Sequence, residues 1–298
     1  IEAHSGISAI IANNATTNNK IAFDALWISS LTESAAKGQP DIEIMGPDSR
    51  LATVHQVLEV TNKPVIVDGD TGGDVNAFEY FLRKAESLGV SAVIIEDKVY
   101  PKRNSLDSES EQVQEDPKVF ANKIKRGKNA LLTDQFMIIA RIESLIAGKS
   151  RVDALARAKH YLEAGVDGIM IHSKSKNPDE VLSFARKYNE LCNEIGIKKP
   201  LVCVPTTYNV IKESELRKEG FNIVIHANHL LRASIKSMQN VCNMILENER
   251  SLEADEHCSS VNEIFDLVGF TDIKNKEKME KTENAMEVLR IKNSGISS

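Results

Sequence analysis

Residues 64–73 (PVIVDGDTGG) and the helix-like stretch 75–88 that follows them contain the pattern that decides the fold. Positions 64–67 are apolar and mostly β-branched, and they lack the polar alternation of a half-exposed strand. A strand that is buried on both faces has this composition. Asp68 ends the run, and Gly89 follows the helix-like stretch as a glycine follows the last turn of a helix. The segment therefore predicts one strand–helix unit with a polar residue at the end of the strand.

The same unit repeats along the chain. Further apolar runs that predict buried strands lie at residues 23–28, 92–95, 136–140, 168–171, 201–204 and 223–225. Helices are predicted at residues 75–88, 118–126, 151–164, 177–195 and 211–219. Residues 1–4 would be the end of an eighth strand, whose start would lie upstream. Eight such units predict an α/β fold, the (β/α)8 TIM-type barrel. The alternative, an open doubly wound sheet, would place a GxGxxG turn after its first strand, and none is found there.

The residues beyond about 231 do not fit another unit of this kind. They predict three helices, at residues 230–247, 259–268 and 276–291. We therefore expect a barrel domain at residues 1–231 and a helical extension at residues 232–298. The pattern alone leaves two roles open for the extension: a cap on its own chain, or an arm that docks on another subunit.

The composition argues against several classes of protein. The 298 residues include 37 basic and 43 acidic ones, and the net charge of −6 disfavours nucleic acid as a partner, because phosphate binding needs a basic surface. No apolar run reaches the length of a membrane span, so we expect no association with a membrane. The four cysteines have no CxxC spacing, which indicates free thiols and a cytoplasmic location.

Carboxylates gather where the predicted strands end, which in a barrel is the face that carries catalytic residues. Asp68 and Asp70 are two residues apart and point the same way in an extended chain, while Glu96 follows the next strand. Asp41 lies in the loop before the strand at 64–67. Taken singly, each could be a solvated loop residue or a helix cap. Together they repel one another unless a cation is bound, and such a set of hard oxygen ligands suits Mg²⁺, with Mn²⁺ as a substitute.

Groups that could bind an anion follow other strands. Arg141 could hold a phosphate or a carboxylate through two hydrogen bonds. His172 could donate to the same anion, act as an acid or base, or be a satisfied structural residue. Backbone N–H groups at residues 29–31 could bind a carboxylate. The polar stretch 98–116 is long for a loop, which predicts either a lid over an anionic substrate or an exposed connection.

Four segments resemble those of a known family. They are residues 2–9 (EAHSGISA), 27–30 (WISS), 68–73 (DGDTGG) and 96–105, where EDK is followed after five residues by NS. The pattern EDKx₅NS is the most specific of them. On these motifs the chain resembles the phosphoenolpyruvate mutases of the isocitrate lyase/phosphoenolpyruvate mutase superfamily, from residue 1 to about residue 231.

The resemblance implies an isomerase, a Mg²⁺-dependent phosphoenolpyruvate mutase that interconverts phosphoenolpyruvate and phosphonopyruvate in the first step of phosphonate biosynthesis. A P–O bond breaks and a P–C bond forms, by a dissociative, metaphosphate-like transfer under a closing lid loop. The resemblance also implies a homotetramer, a dimer of dimers, whose C-terminal helices are exchanged between subunits.

The same resemblance implies a role for each candidate site residue. Asp68 would bind the metal directly, and three other carboxylates would hold it through water: Asp41, Asp70 and Glu96. Residues in contact with the substrate would be Trp27, Ser29, Ser30, Leu31, Asp68, Arg141 and His172. Within that set, residues 29–31 would seat the carboxylate of the substrate. The catalytic residues would be Asp41, Lys102, Asn104, Ser105, Arg141 and His172, three of which lie on the gating loop.

Relatives with other activities differ in this loop. Phosphonopyruvate hydrolase, the alternative reading, resembles the mutase but tends to carry Thr where Asn104 stands. Isocitrate and methylisocitrate lyases carry a catalytic Cys in the loop, and residues 98–105 contain none. A hypothesis from another functional class is a non-catalytic Mg²⁺-dependent binding protein. The carboxylate set and the basic loop disfavour this hypothesis.

Overall fold

The computed structural model describes residues 1–107 and 109–294, and the side chains of residues 1–107 and 109–290. The chain forms two compact units that divide between Arg232 and Ala233. The first unit contains the sheet, and the second is helical. None of the described helices combines the length and the apolar character that crossing a membrane would require.

The first unit is built on a parallel sheet that forms a half-barrel of seven strands. The strands are β1 (Leu26–Ile28), β2 (Val65–Asp68), β3 (Ala92–Glu96), β4 (Met137–Ile142), β5 (Gly168–Ile171), β6 (Leu201–Cys203) and β7 (Ile223–Val224). Their spatial order is their order along the chain, and every neighbouring pair is parallel. All seven coincide with runs that the sequence predicts, so the α/β class and the parallel topology are confirmed.

Residues 1–3 lie at the seam between the two edges of this sheet. Trp27 of β1 donates its N–H to the Ile1 carbonyl, and Ala3 donates to the Trp27 carbonyl. On the other side Glu2 donates its N–H to the carbonyl of His226, two residues beyond β7. In the described residues, this short bridge stands where the sequence predicts an eighth strand. The sheet is therefore not shown to close into a complete eight-stranded barrel.

The helices of the first unit are α1 (Gly6–Asn14), α2 (Ser30–Ala36), α3 (Pro47–Leu58), α4 (Val75–Leu88), α5 (Pro117–Ala130), α6 (Arg151–Glu163), α7 (Asp179–Ile195) and α8 (Glu213–Lys218). The last five confirm the predicted helices to within a few residues. Four glycines expected just beyond helices have positive φ angles: Gly89, Gly165, Gly196 and Gly220. α1, α2 and α3 were not predicted from the sequence, although Leu51, Val54 and Val57 of α3 are buried and have the spacing of one helical face.

The second unit contains most of α9 (His229–Asn248), a 3₁₀ turn (Leu252–His257), α10 (Val261–Leu267) and α11 (Phe270–Ser294). These helices confirm the three predicted for the C-terminal region. Large apolar side chains on them are exposed, among them Ile264, Phe265, Phe270, Met279 and Leu289. A helix whose apolar side chains remain exposed has not buried them within its own unit.

The sheet carries apolar side chains on both faces, as the uninterrupted apolar runs predict. One face packs against the helices, through residues such as Val67, Val93 and Ile138. The other face lines the inside of the half-barrel, through residues such as Trp27 and Ile66. Because side chains alternate between the faces of a strand, the identity of the inward positions determines which polar residues face inward at the strand ends.

Candidate active site

On four neighbouring strands, the last side chain that faces inward is charged or polar. In β2, Ile66 faces inward and Asp68 lies two residues later; in β3 the same spacing relates Ile94 to Glu96. Ile139 precedes Arg141 by two residues in β4, and Met170 precedes His172 by two at the end of β5. A spacing of two residues keeps a side chain on the same face. The strand period therefore brings Asp68, Glu96, Arg141 and His172 to one mouth.

The turn after β2 is held closely against the sheet. Asp68 Oδ2 accepts hydrogen bonds from Ser30 N (3.3 Å) and Ser30 Oγ (2.9 Å), and Asp68 Oδ1 accepts one from Asp70 N at 3.1 Å. A Cβ atom at Gly69 would lie 2.7 Å from Val93 Cγ1, so only glycine fits this close approach to β3. Asp70 itself has a φ of +52°, a left-handed conformation that aspartate tolerates better than most residues.

Arg50 of α3 supports this turn from outside the mouth, a function that the motifs did not reveal. Its guanidinium donates to the Asp68 carbonyl and to Asp70 Oδ2, and both side chains are buried. Burial alone would raise the pKa of Asp70, but the positive charges of Arg50 and Lys102 outweigh it and hold the pKa at about 2. Asp70 is therefore ionised in the folded protein at any ordinary pH.

The described residues between β3 and α5, 97–107 and 109–116, cover the mouth and are called the lid here. Lys102 Nζ lies 2.8 Å from Asp70 Oδ1, 2.8 Å from Ser30 Oγ and 3.4 Å from Asp41 Oδ1. Asn104 Nδ2 donates to Asp41 Oδ2 at 2.6 Å. The lid therefore lies closed over the carboxylates, with an ammonium group among them.

A second charged group lies on the other side of the mouth around Glu143, a residue not included in the sequence-based set of site residues. Arg141 Nε donates to Glu143 Oε1 at 2.5 Å, and Ser105 Oγ donates to Glu143 Oε2 at 2.5 Å. Lys98 Nζ lies 3.1 Å from the same Oε2 atom. Burial opposes ionisation of Glu143, but Arg141, His172 and Lys98 hold its pKa well below the usual value. Glu143 therefore stays ionised and fixes the orientation of the cationic groups around it.

The surroundings of His172 favour its neutral form. Burial and the positive charge of Arg141 lower its pKa, against the opposing effect of Glu143. Its Nδ1 atom lies 2.7 Å from Arg141 Nη2 and 3.0 Å from Glu143 Oε1. Because Nδ1 is engaged by protein groups, any contact of the ring with a substrate falls to Nε2.

The two stems of the lid are joined to each other and to the fold behind them. Lys98 and Gln114 form an antiparallel bridge, and Val99 donates its N–H to the Val113 carbonyl at 3.0 Å. Behind the bridge, the buried carboxylate of Asp97 accepts hydrogen bonds from the side chains of Gln114, Arg157 and Tyr161 and from the Glu143 N–H. This arrangement holds the two stems of the lid together and ties them to α6.

A cavity of about 50 Å³ lies between the lid and the strand ends. It is lined by eleven of the predicted site residues, namely Trp27, Ser29, Ser30, Leu31, Asp41, Asp68, Lys102, Asn104, Ser105, Arg141 and His172. The remaining two, Asp70 and Glu96, lie behind this layer, in contact with Lys102 and with Lys98 and Arg141 respectively. The motifs did not reveal Met170, Thr206 and Asn228, which also line the cavity.

The residues at the mouth fit a hard divalent cation. Neither carboxylate oxygen of Glu96 accepts a hydrogen bond from the described part of the chain. Burial raises the pKa of Glu96 to about 7, although the positive charges of Lys102, Arg141 and Lys98 lower it. An added positive charge would stabilise its ionised form. Among the described residues no three His, Cys, Asp or Glu side chains converge as direct ligands. This arrangement suits Mg²⁺, which commonly keeps several waters and binds one or two carboxylates directly.

Comparison with known proteins identifies the family. The family model described as phosphoenolpyruvate phosphomutase matches residues 1–246, most of the chain. The chain belongs to the phosphoenolpyruvate phosphomutase family. The chain is 35% identical to the phosphoenolpyruvate phosphomutase of Tetrahymena pyriformis over 286 residues, which cover 93% of this chain and 89% of that protein.

Other members of the family and its neighbours are nearly as similar. The phosphonopyruvate hydrolase of Variovorax sp. (strain Pal2) is 34% identical over 271 residues, covering 90% of this chain and 88% of that protein. Among solved structures, a phosphoenolpyruvate phosphomutase from Streptomyces platensis subsp. rosaceus superimposes with a TM-score of 0.85 at 35% identity, covering 93% and 92% of the two chains. A phosphonopyruvate hydrolase complex with oxalate and Mg²⁺ gives a TM-score of 0.81 at 31% identity, with the same coverage.

Removal of the Arg50 charge should destabilise the protein. In an Arg50→Met variant the buried carboxylate of Asp70 loses a cationic partner, and we expect the free energy of unfolding to fall by about 3 kcal/mol. Urea denaturation measures this value. The matched control is Lys84→Met, because Lys84 pairs with Asp48 on the exposed surface and its loss should cost less than about 1 kcal/mol. Equal losses in the two variants would contradict the role assigned to Arg50.

Proposed function

We propose that the protein is a phosphoenolpyruvate phosphomutase, an isomerase that interconverts phosphoenolpyruvate and phosphonopyruvate. The observation that carries the proposal is the cavity beneath the lid, in which anion-binding groups and a carboxylate set suited to a cation face one small space. Family membership supports the same activity. The substrates are isomers, so the reaction needs no second reactant to enter and no net proton transfer.

The polar groups would divide the substrate among them. Backbone and hydroxyl groups of residues 29–31, at the start of α2, would seat its carboxylate, with Trp27 beside them. Arg141 and His172 would contact the phosphoryl group and the pyruvyl part, and Asn104 would bind phosphoryl oxygens from the lid. Such preorganised donors are the main source of rate in phosphoryl transfer, because the loose transition state needs positioning and charge stabilisation more than covalent chemistry.

The carboxylates would hold the metal. Asp68 would be the direct ligand, with Asp41, Asp70 and Glu96 binding its waters, and Mn²⁺ is expected to substitute for Mg²⁺. When bound, the cation supplies positive charge that stabilises the developing enolate oxygen. A homologous hydrolase structure contains Mg²⁺, which supports the assignment.

The lid would exclude water while the phosphoryl group migrates. In the forward direction the bond from the enol oxygen to phosphorus breaks, and C3 of the pyruvate enolate then forms the P–C bond. A metaphosphate-like group would react with any water present, so the transfer requires a closed site. Lys102, Asn104 and Ser105 bring lid atoms into contact with Asp41, Asp70 and Glu143, which supports this role.

Phosphonopyruvate hydrolysis is the second candidate, because a hydrolase relative is 34% identical. Asn104 favours the mutase, since the resemblance assigns Thr to this position in the hydrolases. Its amide is anchored to Asp41 at 2.6 Å, which would hold the lid over the transferring group.

Phosphorus NMR of the protein with phosphonopyruvate and Mg²⁺ tests the activity. We expect a phosphoenolpyruvate signal that disappears when EDTA removes the metal, because the equilibrium is expected to favour the P–O enol ester. Formation of inorganic phosphate with pyruvate would instead establish hydrolysis. An unchanged spectrum would refute both activities.

Asn104 should be essential for turnover but not for folding. We expect Asn104→Ala to lower kcat by about 100-fold or more, the usual effect of removing one donor that stabilises transition-state charge. Near-ultraviolet circular dichroism checks that the fold is retained, and Asn177→Ala, on the exposed surface, serves as the matched control. A near-normal kcat would remove Asn104 from the mechanism.

We further propose that the barrel domain spans residues 1–231, with residues 1–4 as part of its eighth strand, and that residues 232–298 dock on a neighbouring subunit. The hydrogen bonds of residues 1–3 to both sheet edges support the strand. The exposed apolar side chains of α10 and α11 support the docking. Four free cysteines are consistent with the cytoplasmic location that we propose.

The expected assembly is a homotetramer, a dimer of dimers with exchanged helices. Deletion of residues 251–298 should therefore reduce the molar mass in static light scattering from four chains to fewer. The control is the full-length protein at the same concentration. An unchanged assembly after deletion would show that these helices do not hold the subunits together.

A further inference from the structure

Glu43 joins the turn after β2 to the lid through one carboxylate. Its Oε1 atom accepts hydrogen bonds from Thr71 N at 3.1 Å and from Thr71 Oγ1 at 2.6 Å. Its Oε2 atom accepts a hydrogen bond from the Lys102 N–H at 2.9 Å. Thr71 and Lys102 lie far from Glu43 along the chain, so the carboxylate connects three separate segments.

The backbone of Glu43 is held in an uncommon conformation. Its φ angle is +60°, in the left-handed region that disfavours residues with a long side chain. Such a conformation persists when surrounding contacts hold it, and it is found disproportionately at ligand clamps and switch segments. At Glu43 this backbone conformation coincides with three hydrogen bonds to the side chain.

These bonds control the position of Lys102 relative to the carboxylates. Glu43 binds the backbone N–H of Lys102, while Asp70 and Ser30 bind its ammonium group. Thr71, held by the other oxygen of Glu43, directly follows Asp70. The same carboxylate therefore sets both partners of the Lys102–Asp70 ion pair.

We propose that Glu43 is a positioning residue that latches the closed lid to the turn that carries Asp70. The proposal rests on the mutase activity proposed above. Loss of the latch would increase the fraction of molecules in which the lid is open. Water would then attack phosphorus in place of the enolate: a P–O bond to water forms, the bond from phosphorus to the pyruvyl group breaks, and the enolate takes up a proton. The products would be phosphate and pyruvate.

Hydrogen exchange at the Lys102 amide tests the latch without requiring turnover. The experiment uses the full chain with Mg²⁺ and oxalate. In Glu43→Gln only one acceptor oxygen remains, so Thr71 and Lys102 cannot both be satisfied, and we expect exchange about tenfold faster than in the unmodified protein. Glu43→Asp keeps the charge but is one methylene shorter and should also exchange faster. Glu59→Gln, an exposed carboxylate just beyond α3, is the control.

The division of products gives the second measurement. With phosphonopyruvate as substrate, phosphate should rise by about tenfold relative to phosphoenolpyruvate in Glu43→Gln, and by a smaller factor or not at all in Glu59→Gln. Unchanged exchange at Lys102 in both Glu43 variants would overturn the latch. Faster exchange without extra phosphate would overturn its role in excluding water. If the unmodified protein forms no phosphoenolpyruvate while the exchange effect is present, the proposed activity fails and the latch stands.

Discussion

Burial of many carboxylates at one end of a parallel sheet is the constraint on which the rest of the first unit depends. The buried acids at or near this end are Glu33, Asp41, Asp68, Asp70, Glu96, Asp97 and Glu143. An ionised carboxylate leaves water at a cost of several kcal/mol unless it is paired and hydrogen-bonded. Three of the surrounding elements supply such partners: α3 contributes Arg50, α6 contributes Arg157, and the lid contributes Lys102. These three elements therefore each place a cation beside a buried carboxylate.

The buried carboxylates are not all hydrogen-bonded to the same extent. This difference distinguishes the acids that support the fold from the acid nearest the proposed chemistry. Asp97 accepts hydrogen bonds from Gln114, Arg157 and Tyr161. Asp70 Oδ2 accepts one from Arg50, and Asp70 Oδ1 lies 2.8 Å from Lys102 Nζ of the lid. Glu96 is equally buried, yet its oxygens accept no hydrogen bond from the described residues. A carboxylate left short of donors is costly for stability, and it persists where a bound group completes its surroundings. Glu96 therefore relies on the nearby charges of Lys98 and Arg141, 3.5 and 3.3 Å from its oxygens, and not on hydrogen bonds.

Much of the fold and of the mouth could be predicted from sequence, because both follow from the two-residue period of buried strands. Ile66 and Asp68, or Ile139 and Arg141, can be assigned to one face without a structure. Arg50 and Glu43 could not be found in this way. Both act on residues far from them along the chain, and Glu43 has a left-handed backbone conformation that no motif encodes. α1, α2 and α3 were not predicted either, although α1 has a capping box and α3 has Pro47 in its first turn.

Because the two stems of the lid are paired at its base, the length of the loop beyond them has little influence on the geometry of the site. Since the chain is joined at Val99 and Val113, the residues beyond this point form a closed loop whose ends are already together. The entropy of closing such a loop depends only logarithmically on its length, so doubling the number of residues costs only about 0.6 kcal/mol. The tip can therefore gain or lose residues at little thermodynamic cost, while Lys102 and Asn104 remain in register near the stem. Evolution could vary this tip, and with it the surface presented above the mouth, without rebuilding the chemistry beneath.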